Sequence, residues 1–314
     1  MQVFSIPMVT RFRGITVREG LVFEGPAGWS EFSPFLDYDD TESAPWLAAA
    51  IASADYVWPP ALRDSIPVNC TVPAVGPEAA AAVVANSNGC RTAKIKVADP
   101  GQTLADDIAR VEAVRDALGP GGKIRIDVNG LWSVDEAIAN IAVLDRAAGG
   151  LEYVEQPCRT VEELAAVRRR VEVPIAADES IRRAADPMRV VQLEAADIAV
   201  LKVQPLGGVE ACLRIAGEIG IPVVVSSALE TSIGLAAGLA LAAALPDLPY
   251  ACGLATTSLL SADVVARSLV PVDGALPVGR TIVDPDRLAA VAADDETTAR
   301  WTARFDSIRK DLGL

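Results

Sequence analysis

The sequence predicts an α/β fold: a (β/α)8-type barrel carrying a smaller α+β cap. Three observations lead there. From about residue 66 onward, apolar β-rich stretches alternate with amphipathic helical ones. The strand candidates are IPVNCTV, TAKIKV, KIRIDVNG, LEYVEQP, VPIAADES, IAVLKVQP, IPVVVSS and YACGLA, eight in all. Their polar ends recur at Lys96, Asp127, Glu155, Asp178, Lys202, Ser226 and Gly253, about 25 residues apart, the length of a strand plus its crossover helix. No GxGxxG follows the first strand, which argues against an open dinucleotide-binding sheet. Both ends of the chain fall outside this beat.

The elements between the strands carry helix signals. Ser133 with Glu136 and Thr160 with Glu163 match the capping box, and Gly89, Gly119 and Gly149 stand where helix C-caps belong. Residues 14–35 read as strand, turn, strand, with Gly25-Pro26 and Gly28 as punctuation, and residues 43–58 read as a helix. The predicted organisation is a cap over 1–65, a barrel over 66–269, and a return segment over 270–314 that packs on the cap and ends in a helix. The stretch IGLAAGLALAAAL has 13 residues, too short for a bilayer, and reads as a helix buried against the sheet.

Composition excludes several function classes. Apolar residues make up 51% of the chain, enough for a large core. A net charge of −14 disfavours nucleic acid and anionic membrane surfaces as partners, while leaving room for a small carboxylate substrate held by a local field. The five cysteines show no paired spacing and fit buried thiols in a reducing cytoplasm. The N-terminus lacks the apolar core of a signal peptide. There is no histidine, so Ser-His-Asp and Cys-His schemes, histidine zinc sites and a histidine base are all excluded. Proton transfer falls to lysine, carboxylate, tyrosine or cysteine.

The stretch TAKIKV places Lys94 and Lys96 on one face of a strand. A solvated edge strand tolerates that pattern; so does a site that needs a lysine near neutrality. In a barrel, catalytic groups come from the C-terminal strand ends. Those ends offer Lys94 and Lys96, then Asp127, Glu155 and Asp178, then Lys202, Ser226 and Ser227. An aspartate after a strand commonly caps the next helix, but three carboxylates on successive strands converge and need a counter-charge. Hard oxygen donors without histidine or cysteine select Mg²⁺ or Mn²⁺. Lys96 lies nearer the strand end and is the candidate base, with Lys94 beside it to lower its pKa. Lys202, across the mouth, suits stabilisation of an anion. A metal with opposed lysines suits proton abstraction α to a carboxylate.

The segments AKIKV, RIDVNG, YVEQP, ADES, LKVQPLGG and SSALETSIG, in that order, resemble the lysine-base branch of the enolase superfamily. GWSEFSPF and SSALETSIGLAAGLALAAAL narrow the likeness to the o-succinylbenzoate synthase family. The resemblance implies metal ligation by Asp127, Glu155 and Asp178, with Lys96 as base and then acid. It implies Lys202 as a cation–π stabiliser of the ring. Asn129 would lie near the metal, and Ser226, Ser227 and Gly253 would line the succinyl end. The loop VTRFRGIT would fold over the mouth. The implied reaction is dehydration of 2-succinyl-6-hydroxy-2,4-cyclohexadiene-1-carboxylate. Racemisation of N-succinyl or other N-acyl amino acids and cycloisomerisation use the same lysine pair. Dipeptide epimerases usually carry an acidic D-x-D where this chain reads GLATTS, and mandelate-racemase chemistry needs the missing histidine. A barrel that binds a metal-carboxylate ligand without turnover is the non-enzymatic alternative.

Overall fold

The computed structural model describes residues 1–184 and 186–313. The chain opens with an antiparallel sheet of β1 (Gln2–Phe12), β2 (Ile15–Gly25) and β3 (Gly28–Phe32), followed by α1 (Asp40–Asp55). After β4 (Ser65–Pro67) the alternation begins. It runs β5 (Cys70–Val72), α2 (Pro77–Ala85), β6 (Thr92–Lys96), α3 (Leu104–Leu118), β7 (Lys123–Asp127), α4 (Val134–Ala148), β8 (Tyr153–Glu155) and α5 (Val161–Arg168). It continues through β9 (Ile175–Ala177), the short α6 (Glu179–Arg182) and α7 (Arg189–Gln192), β10 (Ile198–Leu201), α8 (Val209–Ile219), β11 (Val223–Val225) and α9 (Ser232–Ala244). The chain closes with β12 (Ala275–Pro277), α10 (Pro285–Ala290) and α11 (Asp295–Asp311).

Strands β5 to β11 form one parallel sheet in sequence order. It closes through single bridges, Val68 to Cys252 on one side and Ser226 to Gly253 on the other. The eighth strand predicted over YACGLA is thus reduced to Cys252 and Gly253, and only a 3-10 turn, Thr257–Leu259, follows it. The barrel has seven strand-helix units and a last strand without its helix. The predicted first strand also divides. Ser65–Pro67 pairs antiparallel with β12, Val68 bridges to Cys252, and Cys70–Val72 pairs along β6 in the barrel sheet.

Alternation along each strand decides what enters the barrel. Tyr153, Ala176, Ile198, Val200 and Val224 form a cluster of their own, the barrel interior. The other parity, including Val154, Ala199, Leu201 and Val225, packs in the larger core that contains the helices. Following the interior parity to the strand ends gives Lys96, Asp127, Glu155, Asp178, Lys202 and Ser226. The helices that set this frame begin on capping boxes at Ser133 and Thr160 as predicted, and on a third at Thr103. Gly119 and Gly149 end α3 and α4, whereas α2 ends on Asn86; Gly89 instead turns the chain against Asp273 and Gly274. The IGLAAGLALAAAL segment is α9, buried along nearly its whole length. Among the described residues no helix is long and apolar enough to cross a membrane. All five cysteines are free and buried.

The N-terminal sheet holds a second core with α1 and α11. Phe32 meets Trp301 and Phe305 edge to face at 6.0 and 5.9 Å, and Phe35 meets Trp46 at 5.7 Å. Ala228, Leu229 and Leu259, from loops on the barrel's mouth, belong to this same core. Strand β1, which the sequence reading left unassigned, pairs along β2 and supplies Phe12 at the mouth.

Candidate active site

Register delivers the polar strand ends side by side. Lys96 is the lateral partner of Asp127, and Asp127 of Glu155, while Lys94 stands one step down beside Arg125. Three strands carrying carboxylates, β7, β8 and β9, lie between the strands carrying Lys96 and Lys202. One cavity is lined by Lys94, Lys96, Asp127, Asn129, Lys202, Ser226, Ser227 and Gly253. Glu155 and Asp178 lie just beneath, each 1% exposed and joined to that lining by Lys94 and Lys202. All ten residues singled out in the sequence meet at this one place.

Each carboxylate faces a cation. Lys96 Nζ donates to Asp127 Oδ2 at 2.5 Å and to Asn129 Oδ1 at 2.6 Å. Lys94 Nζ donates to both oxygens of Glu155, at 2.8 and 3.0 Å, and lies 3.2 Å from Asp127. Lys202 Nζ donates to Asp178 Oδ2 at 2.7 Å, and Arg182 Nε to Asp178 Oδ1 at 2.9 Å. Burial would raise the pKa of Asp127, but Lys96 and Lys94 overcome it and hold the carboxyl well below its ordinary range. Burial is likewise outweighed at Asp178, by Arg182 and Lys202. Glu155 goes the other way: burial and the negative charge of Asp127 push it up to about 7. Burial would lower Lys94, yet Glu155 and Asp127 raise its pKa, so this ammonium is firmly charged here. Its charge is paired with carboxylates, where the strand pattern suggested a repulsive neighbour of Lys96.

The donor chemistry fits a hard divalent cation. The carboxylates are oxygen donors on adjacent strands, and Glu179, beside Asp178, keeps one buried oxygen, Oε2, without a hydrogen-bond partner. As the side chains stand, no three acidic groups among the described residues are arranged to cage an ion, because each is drawn to its own ammonium or guanidinium.

The substrate-side residues are ordered by the chain itself. Asn129 sits at φ +52° in a tight turn and bridges Lys96 to Glu179 Oε1, with its Nδ2 donating at 3.2 Å. Ser227 and Thr256 share a 2.7 Å hydrogen bond between their hydroxyls. Gly253 is glycine for space, since a Cβ there would stand 2.5 Å from Ser226 Oγ. Further lining comes from residues that strand-end reasoning did not reach: Thr71, Arg182, Phe35, Ala228, Leu229 and Thr256. Arg182 carried a readable signal, four residues after Asp178 on a helix start. Phe12 and Arg13 belong to the VTRFRGIT segment, expected as a loop but forming the β1–β2 hairpin, and they line the cavity, with Lys96 Nζ 5.2 Å from the Phe12 ring.

This barrel, cap and strand-end constellation define a class. The enolase N-terminal domain-like family model matches residues 3–54 and the enolase C-terminal domain-like model residues 77–282, and the chain belongs to the enolase superfamily. The solved muconate lactonizing enzyme from Pseudomonas fluorescens, complexed with muconolactone, superposes with a TM-score of 0.76 at 21% identity, covering 93% of this chain and 97% of that one. A dipeptide epimerase from Enterococcus faecalis, complexed with Mg and L-Leu-L-Tyr, gives 0.73 at 24% identity over 90% and 98%. At those identities the likeness is one of fold. Within the superfamily the chain belongs to the o-succinylbenzoate synthases: it is 65% identical over 306 residues to the o-succinylbenzoate synthase of Thermobifida fusca, spanning 98% of this chain and 95% of that relative.

Proposed function

We propose that the chain dehydrates 2-succinyl-6-hydroxy-2,4-cyclohexadiene-1-carboxylate to o-succinylbenzoate, with Lys96 as the base and then the acid. The observation that carries this reading is the placement of Lys96 and Lys202 in one cavity, with three carboxylate-bearing strands between them. Asp127, Glu155 and Asp178 would hold Mg²⁺ or Mn²⁺, whose charge supplies Lewis-acid stabilisation of the anion left when the α-proton departs.

The chain's own residues do the rest. Four carboxylates, counting Glu179, face the four cations Lys94, Lys96, Lys202 and Arg182. With Lys96 neutral as the base, a divalent ion would leave one positive charge over, which draws in an anionic substrate. Asn129 and Asp127 hold Lys96 Nζ by two hydrogen bonds and aim it into the cavity. Neutral Lys96 takes the ring proton, the electron pair moves into the ring, and Lys202 faces the resulting negative charge from the opposite wall. The ammonium of Lys96 then returns its proton to the departing hydroxide on the same face. One C–H and one C–O bond break, one C=C bond forms, and water leaves. Ser226, Ser227 and Gly253 line the end of the cavity assigned to the succinyl chain. In this reading residues 1–65 with 270–314 are the cap and 66–269 the barrel, and Phe12 and Arg13 close the mouth against water.

The test is a steady-state assay with Mg²⁺ following o-succinylbenzoate, wild type beside Lys96→Ala and Lys202→Ala. The reading requires efficient turnover by the wild type and collapse in both variants. An inert wild type, or a Lys96→Ala enzyme that keeps its rate, would sink it. Deuterium exchange into N-succinyl amino acids then separates a racemase from a binder.

A further inference from the structure

The cap buries an arginine at its seam with the barrel, and the proposed chemistry leaves it without a task. Arg18, on β2, is 2% exposed. It makes no direct ion pair with a carboxylate among the described residues. Its donors go to backbone oxygens and one hydroxyl instead. Nε donates to Leu229 O at 3.0 Å, Nη2 to Ala228 O at 3.2 Å and to Ser33 Oγ at 3.0 Å, and Nη1 to Glu19 O at 3.1 Å. The Ser33 carbonyl is a further acceptor of Nη2. The guanidinium also lies 4.7 Å from the centre of the Phe35 ring.

Three of those contacts are walls of the active-site cavity. Ala228, Leu229 and Phe35 all line it. Leu229 stands at φ +65°, a conformation that a leucine holds only when its surroundings impose it. A planar fork of donors spans two successive carbonyls and stacks on an aromatic face at once, which neither lysine nor a neutral side chain does. The loop from Ser226 to Leu229 is the one assigned above to the succinyl end, while Lys96 and the carboxylates lie on other strands.

We propose that Arg18 is a positioning residue for substrate recognition: from the cap, it sets the backbone of Ala228 and Leu229 and the ring of Phe35, and so fixes the wall that receives the non-reacting succinyl end. This rests on the dehydratase reading for the identity of the ligand, but not for the geometry. The consequence is a division of labour in which Arg18 governs fit and leaves the proton transfer to Lys96.

The experiment compares wild type, Arg18→Lys and Arg18→Met in three measurements. With saturating Mg²⁺, KM for the hydroxycyclohexadiene substrate should rise about tenfold or more in Arg18→Met, with kcat within about threefold of wild type and partial recovery in Arg18→Lys. Calorimetry with o-succinylbenzoate itself should show the same order of weakening. Hydrogen exchange on the protein alone should accelerate at residues 226–231 and stay unchanged at 94–97. A fall in kcat at constant KM, or exchange at 226–231 equal to wild type, would overturn the proposal. If Arg18→Met does not fold, Arg18→Lys decides on all three readouts. If the wild type neither turns over the substrate nor binds the product, the dehydratase reading fails, and hydrogen exchange still decides the role of Arg18.

Discussion

The floor of the cavity and its cap-side wall are built in opposite ways. The floor is a ladder of neighbours: Lys96 beside Asp127, Asp127 beside Glu155, each pair one strand apart in a parallel sheet. The wall is held across the length of the chain. Arg18 binds the carbonyl of Leu229, 211 residues away, and Glu31 receives the backbone N–H and hydroxyl of Thr231 at 3.0 and 2.6 Å, 200 residues away. A repeating fold supplies reactive groups cheaply, because the same strand end recurs in every unit. In the proposed division, fit comes from unrepeated contacts between the cap and the barrel loops, made by residues outside the ladder.

The comparison breaks first at Lys96. Lys96→Ala should cost about 10²–10⁴-fold in kcat by loss of the general base, with KM little changed, as steady-state kinetics would show. A parallel loss of affinity would mean that floor and wall are not separable. The next largest effect belongs to the cap core, where Trp301 is almost wholly buried against Phe32 and donates to Glu19 Oε2 at 2.9 Å. Trp301→Ala should destabilise by about 3–5 kcal/mol in chemical denaturation.

Glu31 sharpens the comparison through pH. Its buried carboxylate accepts from Ser33 Oγ, Thr231 and Gly234 N, yet burial lifts its pKa to about 7. A carboxyl raised above its unfolded value favours the folded state when protonated. That contribution is complete below about pH 4.5 and is lost as pH rises through about 7, amounting to about 3 kcal/mol at most. Glu31→Gln should flatten this part of the stability profile in denaturation series from pH 5 to 8. A profile identical to wild type would remove Glu31 as its source. The smallest effect is expected at Tyr38, whose hydroxyl accepts from Arg13 at 3.2 Å and from Arg182, joining the mouth loop to the partner of Asp178. Tyr38→Phe should lower kcat/KM by about tenfold or less, because the hydroxyl acts through Arg13 and Arg182 and not on the substrate itself.

This contrast also explains what could be read in advance. The floor was legible because strand parity and a steady period place Lys94, Lys96, Asp127, Glu155, Asp178 and Lys202 without any knowledge of long-range packing. Asn129, Ser226, Ser227 and Gly253 entered the site through what the family resemblance of those segments implies. Arg18, Phe35 and Leu229 were not legible as walls of the cavity, although GWSEFSPF and SSALETSIG contain the last two, because their contacts form only where the cap meets the barrel. The same limit hid β1, and it hid the switch of Ser65–Pro67 from the barrel to β12, since both depend on a partner strand distant in sequence. Gly89 misled for a related reason, its turn serving a contact with Asp273 and Gly274 rather than a helix end.

The most direct test of the division between floor and wall is single turnover at saturating substrate and Mg²⁺, with Lys96→Ala and Arg18→Lys beside the wild type. The account predicts that Arg18→Lys converts bound substrate within about threefold of the wild-type rate while Lys96→Ala is slower by about 10²-fold or more. Equal slowing in the two variants would contradict it.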